Sequence, residues 1–230
     1  GDSRETDLFF SRRIGLSNDI IGGGRLTGQA GPFTIGFLNL QTEDNSDSDI
    51  MGANNTVLRL RGDVGPRATV GGIITNYQNS ETDNRAAGAD LQFRFMGSSG
   101  VSAWMANTWT KDGPSGGTGA GSVAVLFRDA RYNAGVGYTN IGENFNPALG
   151  FVRRRDMVRY DATAAWTPRF EESTWARQLS LSLTGNYIEG QDGVKQSDAL
   201  INYTSLRFQN GNNILIGLTH TWERLGQPYF

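Results

Sequence analysis

The sequence predicts an all-β, antiparallel, up-and-down transmembrane β-barrel with about eleven strands in this chain. Three observations predict it: side chains alternate in polarity along many short segments, long and short connections alternate between those segments, and aromatic residues recur near segment ends. The composition agrees, because glycine is frequent, with 31 residues, and proline is infrequent, with 6. Glycine disfavours a helix by about 1 kcal/mol per site relative to alanine.

Period-two alternation places the strands in order along the chain. The predicted ranges are 32–43, 55–64, 67–78, 88–96, 100–111, 119–128, 131–141, 156–167, 177–188, 197–209 and 212–224. Most have about ten residues, which is the length that a tilted strand needs to cross a bilayer. We expect residues 32–230 to form the barrel portion and residues 1–31 to form a lead-in that serves as a plug or an extra strand.

The stretch LSLSLTGNY at 179–187 shows the two faces of a predicted strand. Leu179, Leu181 and Leu183 point to one side, and serine and threonine point to the other. In a membrane barrel the apolar side meets lipid and the polar side lines a lumen. The same alternation suits a soluble β-sandwich whose apolar faces pack together, so this alternative stays open.

The polar sides of the predicted strands carry many charges, which favours a hydrated lumen. Burying such charges in a dry core costs several kcal/mol each unless they are paired. The candidate lumen residues on strands are Arg59, Arg61, Asp90, Arg94, Arg159 and Asp161.

Connections alternate between short ones, such as VGPR and GSSG, and long ones, such as TEDNSDSDIMGANN, QNSETDNRAA and EGQDGVKQ. The link PRFEESTWA breaks this alternation. Outer-membrane barrels have short periplasmic turns and long external loops, so the chain is expected to enter the barrel from the periplasmic side. An odd strand number is unexpected in a closed bacterial barrel. An open edge cannot face lipid, so we expect an incomplete portion of a larger barrel, closed by further strands or by a protein partner.

Two arginine clusters lie outside the predicted strands. Arg153, Arg154 and Arg155 follow NPALGF in a long loop, and Arg12 and Arg13 precede the first strand. A constriction lined by arginine favours anionic solutes. Pairing with lumen carboxylates such as Asp90 and Asp161 is the structural alternative.

Two segments carry a family resemblance: FFSRRIGL at 9–16 with the following GGGRLTGQAGPFTIGFLNLQT, and YTNIGENFNPALGFVRRRD at 138–156. From residue 9 to about 225, the chain resembles bacterial barrel domains of unknown function that usually follow a family-nine-like carbohydrate-binding module. The resemblance implies an integral outer-membrane barrel and no established activity. The carbohydrate-binding module is absent from this sequence, and the family barrel continues beyond the end of this chain.

Catalytic and metal chemistry find little support in the sequence. There is no cysteine and one histidine, His220, so neither a zinc site nor a catalytic triad is indicated. Asp44, Asp47 and Asp49 have oxygen ligands at alternate spacing that could hold calcium, but a solvated acidic loop is the default interpretation. We predict no catalytic residue and no cofactor.

The expected function is therefore that of a non-enzymatic protein of the bacterial outer membrane. It would act as a membrane anchor, as a solute passage, or as both, linked to carbohydrate binding or uptake. Its expected partners are outer-membrane lipid, carbohydrate bound through the absent module, and strands or a protein that close the barrel. A net charge of −2 gives no footprint for nucleic acid. The alternatives are a soluble β-sandwich with a glycan-binding or structural role, and a barrel subunit of a larger envelope assembly.

Overall fold

The computed structural model describes residues 6–16, 18–44 and 50–224. Within these ranges the chain forms β-strands and one 3₁₀ turn at Ser11–Arg13. The strands are β1 (Thr6–Asp7), β2 (Ile20–Ala30), β3 (Phe33–Thr42), β4 (Asn54–Val64), β5 (Ala68–Gln78), β6 (Asp83–Met96), β7 (Ser99–Thr110), β8 (Gly119–Arg128), β9 (Tyr132–Ile141), β10 (Phe151–Val152), β11 (Met157–Trp166), β12 (Ala176–Glu189), β13 (Lys195–Phe208) and β14 (Asn213–Glu223).

The prediction of an all-β antiparallel fold is confirmed. Twelve strands form one sheet in chain order from β2 to β14, and β10 leaves that order to pair with β1. Neighbouring strands pair antiparallel, as in β4–β5 and β12–β13. Among the described residues no closed barrel is found, because β2 and β14 stand at the two ends of the strand order.

The structure has one sheet strand more than the predicted eleven, because β2 lies within residues 1–31, for which an extra strand was one of the two expected roles. Its glycines at 22–24 disfavour a strand in a sequence-based reading. Pairing along β3, from Gly22 with Gln41 to Ala30 with Phe33, supplies the missing stabilisation. Strand β2 runs antiparallel to β3, so the chain enters the sheet at the end with the long connections. The expected entry from the end with short turns is therefore wrong.

Two connections predicted to be long are short in the structure. Residues 79–82 join β5 to β6, and residues 190–194 join β12 to β13. Strand β6 begins at Asp83 because Asn84 and Arg85 continue the pairing with β5. Polar residues at these positions look like a loop in the sequence, but in the structure they belong to a strand.

The chain divides into two compact units, described as unit 1 and unit 2. Unit 1 contains Gly1–Phe93, Ala103–Gly121 and Ile141–Asp156, and unit 2 contains Arg94–Ser102, Ser122–Asn140 and Met157–Phe230. The buried apolar side chains of unit 1 include Ile141, Phe145 and Leu149. Those of unit 2 are few and include Met157 and Ala176.

Candidate functional site

The sheet has an apolar face and a polar face, and in unit 2 the apolar face is the more exposed one. On β11, Tyr160 is 44% exposed and Trp166 43%, whereas the side chain of Arg159 on the opposite face is 19% exposed. Strand β9 repeats the pattern, with exposed Val136 and Tyr138 opposite half-buried Asn133 and Thr139. This distribution is the reverse of that in a soluble sheet, where the apolar face is covered.

Unit 1 shows the same inversion of exposure. On β4, Leu58 is 43% exposed and Leu60 45%, whereas Val57 on the other face is 5% exposed. On β5, Ile74 is exposed and its neighbour Thr75 is buried. The exposed apolar face of unit 1 also includes Phe33, Phe37, Val70, Leu91 and Phe93.

On the polar face of unit 1, an ion pair spans a glycine. The guanidinium of Arg59 on β4 lies 2.5 Å from the carboxylate of Asp90 on β6, and both side chains are about one-third exposed, at 34% and 29%. Gly71 of β5 lies between them, and a Cβ there would stand 2.6 Å from the Arg59 Nη2 and 2.8 Å from the Asp90 Oδ2. The absence of a side chain at Gly71 therefore makes room for the ion pair.

The other charged residues predicted for the polar side are distributed over both units. In unit 2, Arg159 and Asp161 form an ion pair at 2.8 Å along β11. Arg61 in unit 1 and Arg94 in unit 2 are exposed. Two of the predicted arginines are thus neutralised by the two predicted aspartates.

A segment at the start of the chain, residues 6–13, lies against a long loop of unit 1; we call this segment the strap. The loop comprises residues 142–156, and we call it the capping loop. Strand β1 of the strap pairs with β10 of the capping loop, Thr6 opposite Val152 and Asp7 opposite Phe151. A Cβ at Gly150 would overlap the carbonyl oxygen of Asp7, so this close approach requires glycine.

The capping loop is anchored to the strands of unit 1 by buried polar side chains. Asn84 on β6 is 2% exposed. Its amide nitrogen donates to the carbonyl oxygen of Asn146 at 2.9 Å, and its Oδ1 accepts from the backbone N–H of Ala148 at 2.9 Å. The hydroxyl of Thr108 on β7 accepts from the N–H of Asn146 at 3.1 Å. Phe145 and Leu149 of the same loop are buried.

Both arginine clusters lie in unit 1, one on the strap and the other on the capping loop. Arg13 donates from Nη1 to the carbonyl oxygen of Gly150 at 2.8 Å, and Arg155 donates to Asn146 Oδ1 at 2.6 Å. Arg153 is exposed and Arg154 is half-buried. The carboxylates of Asp90 and Asp161, which the sequence offered to these clusters, pair instead with Arg59 and Arg159.

An aromatic row crosses the apolar face of unit 2 at the end where β9 and β12 finish and β11 begins. The ring centroids of Tyr138 and Tyr160 lie 5.5 Å apart, and those of Tyr160 and Tyr187 lie 6.3 Å apart. The ammonium of Lys195 stands 4.4 Å from the centre of the Trp222 ring and forms an ion pair with Asp198. Rings with polar tips are typical of the boundary between hydrocarbon and water.

In unit 1 the apolar face ends near the long connections in an amide row instead of an aromatic one. Asn39 donates to Asn54 Oδ1 at 3.0 Å and to Thr56 Oγ1 at 2.7 Å. Further along the row, Arg85 donates to Asn76 Oδ1 at 3.3 Å. On the same face, the row next to Asn39, Thr56 and Asn76 consists of Phe37, Leu58 and Ile74. The exposed apolar surface therefore ends at the amide row.

Two polar residues interrupt the apolar face of unit 2 on β13. Asn202 lies opposite Leu183, and Thr204 lies opposite Leu181. Thr204 donates to Asn202 Oδ1 at 3.3 Å, and Asn202 donates to the carbonyl oxygen of Ser182 at 3.1 Å. The two side chains thus satisfy each other and the backbone locally, which lowers the cost of an apolar environment.

The candidate metal and catalytic residues do not assemble into a site where they are described. Asp44 accepts a hydrogen bond from the N–H of Gly52 at 2.6 Å, and Asp47 and Asp49 lie outside the described residues. His220 Nε2 lies 3.5 Å from Asp198 on the neighbouring strand. Within the described ranges, no group of three or more histidine or acidic residues is arranged to hold a metal ion.

No helix among the described residues is long and apolar enough to cross a membrane. Comparison with protein-family models, with curated proteins and with solved structures found no match to this chain.

Sequence reasoning missed Asn84, Gly71 and Gly150, the residues that hold the capping loop, the ion pair and the strap in place. The sequence does contain a signal that the capping loop, which Asn84 holds, is packed on the protein. The capping loop contains Phe145, Pro147 and Leu149, and apolar side chains in a long loop indicate that the loop folds onto the protein. Nothing in the local sequence distinguishes Gly71 from the other 30 of the 31 glycines.

Proposed function

We propose that the chain is part of a non-enzymatic β-barrel protein of the bacterial outer membrane, which acts as an anchor, a solute passage, or both. The observation that carries this proposal is the inverted exposure of the two faces. Apolar side chains such as Leu58, Tyr160 and Trp166 are exposed, while the opposite face holds charges in pairs. Lipid is the environment in which an exposed apolar face and a polar interior are both favourable.

The dimensions of the strands support this proposal. The twelve strands of the sheet have 10 to 14 residues each. A tilted strand needs about 9–11 residues to cross the hydrocarbon. On β6 the apolar face extends from Ala87 to Phe95, which is about 27 Å of strand at ~3.4 Å per residue.

The two rows of polar and aromatic side chains support the proposal further. The aromatic row lies near one end of the apolar face of unit 2, and the amide row lies near one end of the apolar face of unit 1. A bilayer has such a boundary, with headgroups and water above the hydrocarbon. The long connections would then lie outside the cell, as in known outer-membrane barrels.

A soluble β-sandwich, the alternative that the alternation left open, needs its apolar faces covered. The exposure of the apolar face in both units counts against it. A link to carbohydrate rests only on the resemblance of the segments at 9–16 and 138–156 to barrel domains that follow a carbohydrate-binding module.

A second candidate role is that of a subunit in a larger envelope assembly. Strands β2 and β14 are the ends of the sheet, and all of their residues are exposed. Edge strands in lipid need a partner for their backbone groups, and further strands or another protein would supply it.

The experiment that tests the proposal is fractionation of the native protein followed by gel electrophoresis in detergent, with and without boiling. We expect the protein to fractionate with membranes and to change its mobility on boiling. A protein that stays soluble without detergent and shows no mobility shift would falsify the membrane proposal and favour the β-sandwich.

A further inference from the structure

The strap and the capping loop are held to unit 1 with very different strength. The capping loop has buried apolar residues, Phe145 and Leu149, and buried hydrogen bonds to Asn84. Every residue of the strap, by contrast, is half-buried or exposed. The capping loop therefore contributes fully buried side chains to the core of unit 1, whereas the strap contributes none.

The strap is bound chiefly through the backbone of the capping loop. Besides the two residue pairs of β1 and β10, the N–H of Phe10 donates to the carbonyl oxygen of Leu149 at 2.8 Å. Arg13 adds its bond to the carbonyl oxygen of Gly150. Each bond of this kind contributes only about 0.5–1.5 kcal/mol of net free energy, because water replaces it when the segment opens.

The strap lies over a position that divides the polar face of unit 1. Leu8 contacts Gly88 of β6 so closely that a Cβ at Gly88 would overlap the leucine side chain. On one side of Gly88 along β6, Asn84 and Ala86 are buried beneath the capping loop; on the other side is Asp90, paired with Arg59. Leu8 thus stands between the closed part and the charged, half-exposed part of this face.

We propose that the strap is a releasable gate, and that its detachment from β10 opens a path along the polar face of unit 1 for small hydrophilic solutes. The capping loop stays in place while the strap moves. The proposal rests on the proposed membrane-barrel function. The path favours solutes without a strong net charge, because the Arg59 guanidinium on this face is neutralised by Asp90.

A disulfide tests the gate directly, because the chain has no cysteine of its own. Thr6→Cys with Val152→Cys joins the strap to the capping loop at a cross-strand pair, a separation that disulfides can span with small adjustment. The full chain is reconstituted in planar bilayers, and conductance is recorded before and after reduction with dithiothreitol. We expect low conductance when the pair is oxidised and a several-fold rise on reduction.

The matched control joins two strands of unit 2 without touching the strap: Thr163→Cys with Thr184→Cys, residues that face each other on β11 and β12. Its conductance should not respond to reduction. If the Thr6–Val152 pair also gives equal or lower conductance after reduction, while the protein still shifts its mobility on boiling, the gate is overturned. If the wild-type protein shows no such shift and no membrane association, the membrane-barrel proposal itself fails.

A second pair of variants needs no disulfide. Arg13→Ala removes the bond to Gly150 and should raise the rate of liposome swelling in a neutral sugar several-fold. Arg12→Ala, in the same exposed turn, is the control and should leave the rate unchanged. Equal swelling rates for both variants and the wild type contradict the gate.

Discussion

Unit 1 and unit 2 have similar apolar faces and different polar faces. In unit 1 the capping loop covers part of the polar face, where Asn84 and Thr108 form hydrogen bonds with it and are almost inaccessible. In unit 2 the β11 and β12 residues of that face, such as Asp161 and Asn186, stay half-exposed. The same alternation of polar and apolar residues thus gives a packed interior where a loop folds back and an open surface where none does.

The largest difference between the units should appear when the covering loop is weakened. Phe145→Ala removes a fully buried ring from the capping loop, and we expect a loss of about 3–5 kcal/mol in the free energy of unfolding. Phe151→Ala in the same loop is the control, because Phe151 is 46% exposed and should cost little. Denaturant unfolding in detergent micelles measures both. Similar costs at the two positions would show that the loop is not packed as described.

The similarity of the two apolar faces gives the next prediction. Leu58→Arg in unit 1 and Leu183→Arg in unit 2 start from the same exposure, 43%, and each places a charge in the proposed hydrocarbon. Each should cost about 2–4 kcal/mol in lipid, and much less if the face meets water. Refolding into lipid vesicles with denaturant titration measures the cost.

The matched control for the arginine variants is Thr184→Arg, which lies next to Leu183 on the polar face. Its cost should be well below that of Leu183→Arg because the face is hydrated. Equal costs at 183 and 184 would argue against different environments for the two faces.

A smaller difference in stability is expected when a polar side chain is removed from each unit. Asn84→Ala leaves the carbonyl oxygen of Asn146 and the N–H of Ala148 without their partner, at a cost of about 1–3 kcal/mol. Asn186→Ala, on the half-exposed polar face of unit 2, should cost far less. Protease sensitivity of the capping loop reports the first change locally, and it should rise for Asn84→Ala alone.

The paired charges give a prediction about ions rather than stability. Asp90→Asn removes the negative charge beside Arg59 in unit 1, and Asp161→Asn removes the negative charge beside Arg159 in unit 2. Both should shift the reversal potential in a KCl gradient toward anion preference. The shift should be larger for Asp161→Asn, because Asp90 lies two residues from Gly88, which Leu8 of the strap contacts, and the Asp90 side chain is the less exposed one, at 29% against 41%. An equal or larger shift for Asp90→Asn would mean that the strap does not restrict access.

The smallest expected effect concerns the turn before β9. Hydrogen bonds from the backbone N–H groups of Tyr132 and Arg131, both at 2.7 Å, hold the pKa of the Asp129 carboxyl below its usual value. This contribution to stability is complete above the ordinary carboxyl pKa of about 4 and is lost as pH falls through the lowered pKa. Carbon-detected NMR titration should place the midpoint below that of an unfolded peptide. Asp129→Asn should remove the part of the acid-induced loss of stability that comes from this carboxyl group, with little other change.

Much of the strand pattern was predictable from the sequence, because side-chain periodicity is local. The alternation at 179–187 and 156–167 identified β12 and β11 with their two faces, since residues on a strand point alternately to opposite sides. Strand β2 was expected only as one of two roles for residues 1–31, a plug or an extra strand, because three consecutive glycines carry no alternating pattern. Its formation depends on the neighbouring strand β3.

The candidate site was predictable only in part, because pairing partners are set by register. The sequence offered Arg59, Asp90, Arg159 and Asp161 as charges of one face, but it could not say which carboxylate meets which guanidinium. The register of β4, β5 and β6 places Gly71 opposite both Arg61 and Asp90. The diagonal neighbour Arg59 reaches across Gly71 to Asp90, so the pair depends on side-chain reach in three dimensions as well as on register.

By itself, the sequence determined the all-β class, the two-faced strands and the positions of most turns, since these follow from neighbours along the chain. Only the tertiary structure decided that the apolar face is the exposed one, that the capping loop is packed on Asn84, and that the strap pairs with β10. These features join residues such as Thr6 and Val152, which are far apart in the chain, so local propensity contains no information about them.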